Sequence, residues 1–357
     1  IRGRHIGNFF SAYYRPATDC GYCHFVLFRF FNMDLCIVFF YLLLLFVVVV
    51  GVILARSDCD LTLWVLEKWG KPLDTLAGKV VWIVGASSGI GEYLAYELAK
   101  QGSKLVLSSR REDELNRVKA ECLKRGKSAD TDILVLPMDV TSVITHPAKV
   151  QEVLNHFGQV DILVNNAGRT QRARWEKIDL DVDRQLFELN VFGIINLTRC
   201  LLPSFLSKKK GHIVTMSSLA GKMGVPGSAS YTGSKHALHG YMESLRWEKS
   251  RDRIDVTMLC PGPVMSNLLE TAFTAKVGEI ADQKWSMKDN RMPTDRCARL
   301  CAVAIANKVD EGWICRQPLL LSAYGIQYLP TITRKLGSIM GYKTMMKSRD
   351  GSAAKTK

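Results

Sequence analysis

Between residues 79 and 321 the chain alternates short apolar runs with longer helical stretches, and this alternation constrains the fold more than any other feature. The apolar runs fall at 79–84, 104–108, 133–137, 161–164, 212–217, 255–260 and 313–321, and Val, Ile and Leu dominate them. A strand wet on one face alternates apolar with polar residues, whereas a near-continuous run suits a strand covered on both faces. The intervening stretches, from a glycine turn to about residue 100 and at 112–125, 149–157, 182–207, 231–248 and 296–308, have the length and pattern of helices. Strands alternating with helices predict a doubly wound α/β domain with a parallel sheet, here spanning 78–322. No internal repeat or low-complexity segment interrupts it.

A second feature lies upstream. Residues 36–55 (CIVFFYLLLLFVVVVGVILA) carry no charge, and 20 residues at about 1.5 Å each reach across roughly 30 Å of hydrocarbon. This predicts one N-terminal transmembrane helix as a membrane anchor over 33–57, followed by a linker over 58–77 that contains Gly70 and Pro72. The competing reading is a cleaved signal peptide. The run exceeds a usual signal core, and Leu61, Leu63, Trp64, Val65, Leu66 and Trp69 continue its character, which favours a retained anchor. The expected location is the endoplasmic reticulum membrane. Residues 1–32 mix aromatics, Arg and Gly without a period ahead of Met33, and are expected to be a leader or a gene-model artefact.

A net charge of +14 invites a nucleic-acid reading. Its distribution argues otherwise, because residues 1–32 and the basic tail 323–357 hold most of the excess. Basic ends beside an apolar span suit anionic membrane lipid better than a duplex, so no nucleic-acid partner is expected. At 47% hydrophobic and 23% charged residues the chain is neither disordered nor collagen-like. The 10 Cys are irregularly spaced, unlike a secreted disulfide framework. Cys20-x-x-Cys23-His24 lacks a second pair at zinc spacing, and Cys297 and Cys301, one helical turn apart, read as core, so no metal is expected.

The first strand run ends in Gly85-Ala86-Ser87-Ser88-Gly89-Ile90-Gly91. A glycine-rich turn that opens a helix lets the backbone approach a pyrophosphate, which meets the helix's free N–H groups and positive dipole end. The second run ends Ser108-Ser109-Arg110-Arg111, with no acidic residue for a ribose 2′-hydroxyl. Two guanidinium groups there suit a 2′-phosphate and predict NADP(H), the alternative being a solvated start to the next helix. The third ends Met138-Asp139-Val140, where Asp139 can accept from an adenine amino group. The fourth ends Asn165-Asn166-Ala167-Gly168, small and polar where the chain passes a cofactor. Together these make the sheet Rossmann-type.

The chemistry centres on Tyr231-Thr232-Gly233-Ser234-Lys235. Tyr and Lys at i and i+4 share a helix face, and an ammonium nearby favours phenolate, so the tyrosine can exchange a proton near neutral pH. Thirteen residues earlier Ser218 can bind a carbonyl oxygen. A Tyr-x-x-x-Lys pair alone is commonplace, and only its combination with Ser218 and the glycine turn carries weight.

Gly85/Gly89/Gly91, Asn165–Gly168, Asn190, Ser218, Tyr231/Lys235 and Pro261-Gly262, in this order and spacing, resemble the short-chain dehydrogenase/reductases. One departure is Val84, where that family usually has Thr before the first glycine. The resemblance implies a hydride-transferring enzyme with Tyr231 as general acid or base. Lys235 would lower the tyrosine's pKa and bond the nicotinamide ribose, Ser218 would polarise the substrate oxygen, and Asn190 would hold a water in a proton relay. It also implies that Gly85, Ser87, Ser88, Gly89, Ile90, Gly91, Arg110, Arg111, Asp139, Val140, Asn166, Ala167 and Gly168 hold the cofactor. Pro261, Gly262 and Val264 would pass beside the carboxamide, with Ser266 assisting. Pairing through the long helices near 182–207 and 231–248 would make a homodimer.

Residues 264–293 fall where this fold places a substrate cover, and Leu268, Leu269, Phe273 and Trp285 can line an apolar pocket or pack a lid on the core. An anchor plus an apolar lid suggests lipophilic carbonyls: steroids, retinoids or xenobiotics. A membrane-tethered dinucleotide-binding scaffold without turnover is the rival, but it would need none of Tyr231, Lys235, Ser218 or Asn190. The sequon Asn196-Leu197-Thr198 falls inside a predicted packed helix and is expected to be silent.

Overall fold

The computed structural model describes residues 21–281 and 289–350, so Cys20, Trp285 and the rest of 1–20 and 351–357 lie outside the described residues. The chain forms two compact units, Ile1–Ile53 and Leu54–Lys357. The first contains most of helix α1 (Gly21–Arg56), which at 36 residues is about 54 Å long. It begins before Met33, where the anchor was expected to start. Its apolar section is Ile37–Ile53, where Phe39, Leu45 and Phe46 are exposed.

The second unit is a seven-stranded parallel sheet in the order β3-β2-β1-β4-β5-β6-β7. The strands are β1 (Val80–Val84), β2 (Lys104–Ser109), β3 (Ile133–Pro137), β4 (Ile162–Asn165), β5 (Gly211–Met216), β6 (Ile254–Pro261) and β7 (Glu311–Ile314). Between them run α3 (Gly89–Lys100), α4 (Glu112–Arg125), α5 (His146–Phe157), α6 (Leu180–Phe187), α7 (Gly193–Lys208), α8 (Ala229–Lys249) and α9 (Thr294–Asn307). Successive β1 residues serve opposite cores. Val81 and Ile83 pack with Leu94 and Leu98 of α3, Leu115 of α4 and Ile305 of α9. Trp82 and Val84 pack with Val150 of α5, Phe205 of α7 and Leu238 of α8. Each such side chain contributes about 1.5–3 kcal/mol on burial, which is why the strands read as unbroken apolar runs. α4 shows the local signals plainly: Glu112, Asp113 and Glu114 in the first turn, Lys124 and Arg125 in the last, and Gly126 beyond. Strand order reverses between β1 and β4, which opens a crevice at their carboxyl ends.

Several boundaries differ from expectation. Residues 58–77 are not a free linker, because α2 (Leu61–Trp69) belongs to the folded unit. Asp60 caps α2 through the Leu63 N–H at 2.9 Å, its own N–H donates to the Trp313 carbonyl at 2.8 Å, and Leu63 is fully buried. Arg296 of α9 pairs with both Asp58 and Glu67. The last strand stops at Ile314 rather than Leu321: Pro318 cannot donate to a ladder, and Leu319–Tyr328 forms helix α10. That helix crosses the expected domain end at 322, and α11 (Pro330–Asp350) follows it in the expected tail. The long helix expected over 182–207 is interrupted by a π-helical turn at Glu188–Phe192. The stretch Leu180–Lys208 is apolar enough for a span, but half of its most apolar window is buried in the core.

Candidate active site

The crevice at the strand ends is a cleft of about 1080 Å³. On one side the β1–α3 turn brings backbone to its floor. Gly85 has φ +92°, and a Cβ there would lie 2.7 Å from the Ala167 nitrogen. Gly91 packs beneath it, where a Cβ would lie 2.3 Å from the Gly85 carbonyl oxygen. Asn166 ties the two loops together by donating to that oxygen at 2.8 Å. A cradle that only glycine fits, at the N-terminus of α3, is the geometry that admits a pyrophosphate. Beside it Arg111 donates to the Ser87 hydroxyl at 3.2 Å. Arg110 and Arg169 both line the cleft, and burial together with the Arg110 charge lowers the pKa of Arg169. Asp139 closes a turn on Thr141, accepting from its N–H at 2.9 Å and its hydroxyl at 2.8 Å.

At the centre, α8 presents Tyr231 and Lys235 on one face, as the i, i+4 spacing requires. Burial raises the Tyr231 pKa above its ordinary value, partly offset by a hydrogen bond with Ser218 and the charge of Arg172. Lys235 is not among the groups that offset this rise. Its ammonium lies 5.7 Å from the tyrosine ring centroid and donates to the Met216 carbonyl at 2.8 Å. Burial lowers Lys235 to about 8. The Ser218 hydroxyl donates to the Pro261 carbonyl at 3.2 Å, which links the ends of β5 and β6.

Residues 79–276 match the sequence profile of the short chain dehydrogenase family. The human protein "Dehydrogenase/reductase SDR family member 7" is 44% identical over 79% of this chain and 85% of its own length, and the mouse protein of that name is 42% identical over 80% and 85%. Among solved structures, a short-chain dehydrogenase from Streptomyces avermitilis aligns with TM-score 0.59 at 26% identity, covering 73% of this chain and 96% of that one. A Burkholderia phymatum short chain dehydrogenase/reductase, in complex with NAD, aligns with TM-score 0.62 at 24% identity over 73% and 96%. This chain belongs to the short-chain dehydrogenase/reductase family.

As a member of this family it is an oxidoreductase of the dehydrogenase/reductase type, with a dinucleotide site in the Rossmann-like crevice. Gly85, Ser87, Ser88, Gly89, Ile90, Arg110, Arg111, Asp139, Val140, Asn166, Ala167, Gly168, Ser218, Tyr231, Lys235, Pro261, Gly262 and Val264 all line the cleft. Gly91 and Asn190 do not. Gly91 makes room under the turn, and Asn190 acts at one remove from the π-helical turn. Asn190 is fully buried; its amide accepts from the Arg169 N–H at 2.9 Å and donates to the Arg169 carbonyl at 2.9 Å and to Ser234 at 3.0 Å. The extra residue of the π turn re-aims this side chain, and sequence periodicity carries no mark of it. Ser266, expected to assist beside the carboxamide, lines the cleft, and of the residues expected to cover substrate Leu268 and Leu269 reach it, whereas Phe273 lies under the Arg169 guanidinium at 5.1 Å.

Sequence reasoning missed three groups. Arg169 follows Gly168 directly and Arg172 lies three residues further on, in a basic stretch visible in the sequence, and both line the cleft. Tyr328, Leu336 and Met340, on α10 and α11, wall the cleft from beyond the expected domain end. A polar brace also lies behind Ser218. The Nε2 of His239 faces the Ser217 hydroxyl at 3.0 Å and the Cys260 thiol at 3.7 Å, while its Nδ1 faces Glu311 at 3.4 Å. His239, Cys260 and Glu311 are close enough for a shared ion, but opposite ring nitrogens serve the two other groups, and Lys222 sits 3.1 Å from Glu311. Burial alone would raise Glu311, yet hydrogen bonds from His239 and Trp313 and the Lys222 charge bring it to about 2. The brace holds the strand end that carries Ser218.

The sequon is engaged inside α7: Asn196 contacts His146 at 2.9 Å, and Thr198 donates to the Ile194 carbonyl at 2.8 Å.

Proposed function

We propose that this chain is a membrane-anchored, NADP(H)-dependent oxidoreductase that interconverts carbonyl and alcohol groups on lipophilic substrates. One observation carries the reading: Tyr231, bonded by Ser218 and backed by the buried Lys235, meets the glycine cradle in a single cleft. The cradle fits a dinucleotide because its turn excludes side chains at Gly85 and Gly91. Residues 85–91 would hold the pyrophosphate, Arg110 and Arg111 the 2′-phosphate, Asp139 and Val140 the adenine, and Asn166–Gly168 with Pro261, Gly262 and Val264 the remainder. When bound, NADP(H) supplies or accepts the hydride. Ser218 and Tyr231 orient the substrate oxygen. With its pKa raised, Tyr231 keeps its proton at neutral pH and can donate it to a forming alkoxide. Lys235, charged below about pH 8, supports the ribose side, and Asn190 holds the Arg169 backbone beside it.

The NADP(H) preference rests on the Arg110–Arg111–Arg169 group with no acidic residue at the end of β2. The anchor reading rests on Ile37–Ile53, and the endoplasmic reticulum membrane is its proposed place; carbonate-extracted membranes should retain the protein in the pellet. Steroids, retinoids and xenobiotic carbonyls suit the apolar wall of Leu268, Leu269 and Leu336. Exposed Phe192, Tyr241 and Trp247 on and beside the long helices support a homodimer, which light scattering would read. The decisive assay follows cofactor absorbance with purified protein, NADPH or NADH, and a panel of steroid, retinal and quinone carbonyls. Turnover with NADPH is expected; binding of NADPH without oxidation by any carbonyl would leave only the scaffold reading.

A further inference from the structure

The first eleven residues of α11, ahead of the left-handed Gly341, form an amphipathic surface that the catalytic reading does not explain. At 100° per residue, Ile339, Ile332, Leu336, Met340, Thr333 and Gly337 fall on one contiguous arc. Part of that arc, at Thr333, Leu336, Gly337 and Met340, walls the cleft. Ile332 and Ile339 lie outside the cleft lining and are exposed, Ile339 at 81%. Single exposed apolar residues are ordinary, but a continuous arc rimmed by polar groups marks an interaction surface. The rim is basic. Arg334 flanks one edge of the arc and Lys335 the other, both exposed, and residues 331–357 carry seven basic side chains against one acidic, Asp350.

Resting on the membrane-anchored reading above, we propose that this face of α11 docks on an anionic lipid surface and opens the catalytic cleft toward the lipid phase. The charge pattern selects this occupant. Long basic side chains at the edges of an apolar arc keep their heads at the phosphates while the arc enters the acyl boundary. A second copy of the same face would bring the two sets of cations together. A lipophilic substrate dissolved in the bilayer would then reach Leu336 and Met340 without crossing water.

The test uses the full chain in vesicles of phosphatidylcholine alone or equimolar with phosphatidylserine. Photoreactive benzoylphenylalanine is substituted in separate proteins for Ile339, for Ser338 on the polar face, and for Leu45 in α1. Lipid adducts at 339 but not 338, stronger in the anionic vesicles, are expected. Equal or absent labelling at 339, or a cross-link there to a second copy, overturns the proposal. The Leu45 position separates the two readings. Adducts at 45 without 339 sink the docking face alone, adducts at neither sink both, and adducts at 339 without 45 support docking while refuting the anchor. In parallel, the Ile332→Asp, Ile339→Asp double variant should raise KM for a membrane-partitioned carbonyl by about tenfold. Its kcat and its KM for a water-soluble carbonyl should stay unchanged; a parallel shift in both KM values would show a structural effect instead.

Discussion

On the nucleotide side of the cleft, Gly85 and Gly91 bring backbone within van der Waals reach of the Asn166–Ala167 loop, and the strands behind them are buried on both faces. On the opposite side Leu268, Leu336 and Met340 offer half-exposed apolar side chains from irregular chain and from helices at the edge of the fold. The first side recognises with fixed main-chain groups, so one added methyl is felt there. The second recognises by apolar surface and tolerates exchange. The difference teaches that a dinucleotide demands geometry, whereas an apolar wall offers only area.

The largest expected effect lies between the two sides. Tyr231→Phe should lower kcat by roughly 10²-fold or more, as removal of a positioned acid does, with NADPH affinity nearly unchanged. Lys235→Met should lower turnover and NADPH affinity together. A Tyr231→Phe protein with near wild-type turnover would break the comparison at its centre. The pH profile comes next. Lys235 is charged only below about 8, so kcat/KM for reduction should fall by about tenfold per unit as pH rises beyond that value, and should be flat below it. A profile without a break between pH 7 and 9 would remove Lys235 from the mechanism.

Gly91→Ala places a methyl 2.3 Å from the Gly85 carbonyl and should cost about 1–3 kcal/mol of stability, read as a lower melting temperature. Gly240→Ala in α8, where nothing lies within 4 Å, should be neutral or stabilising; equal effects at the two positions would erase the contrast. Arg111→Ala should weaken NADPH binding by on the order of 1–3 kcal/mol and leave NADH binding in place. Equal wild-type affinity for both cofactors would sink the 2′-phosphate reading. The smallest effect belongs to the apolar side. Leu336→Ala should raise KM for a lipophilic carbonyl by no more than about tenfold, because the side chain is already half exposed.

Much of this was legible before any coordinates. The strand runs, the glycine turn and the pairing of Tyr231 with Lys235 are local patterns, a continuous apolar run, a fixed turn and a period of 3.6, so adjacent residues suffice to reveal them. Seven strands were expected and seven are present among the described residues, with β3 and α4 on the expected residues. The misreadings cluster where long-range contacts decide. Leu319, Leu320 and Leu321 are as apolar as a strand, and only Pro318 and the edge position of β7 turn them into a helix. Asp60 looks like linker until Trp313, distant in sequence, supplies its partner.

By itself, the sequence determined the sheet, the dinucleotide cradle, the family's chemical residues and the apolar segment, because each is written in neighbouring side chains and backbone freedom. Only the tertiary structure decided that Asn190 turns inward on a π-helical turn, that Arg172 and Ser218 act on the Tyr231 phenol, and that α10 and α11 wall the cleft. These depend on burial and on distances between residues far apart in the chain, and a pKa or a pocket wall exists only once those distances are set.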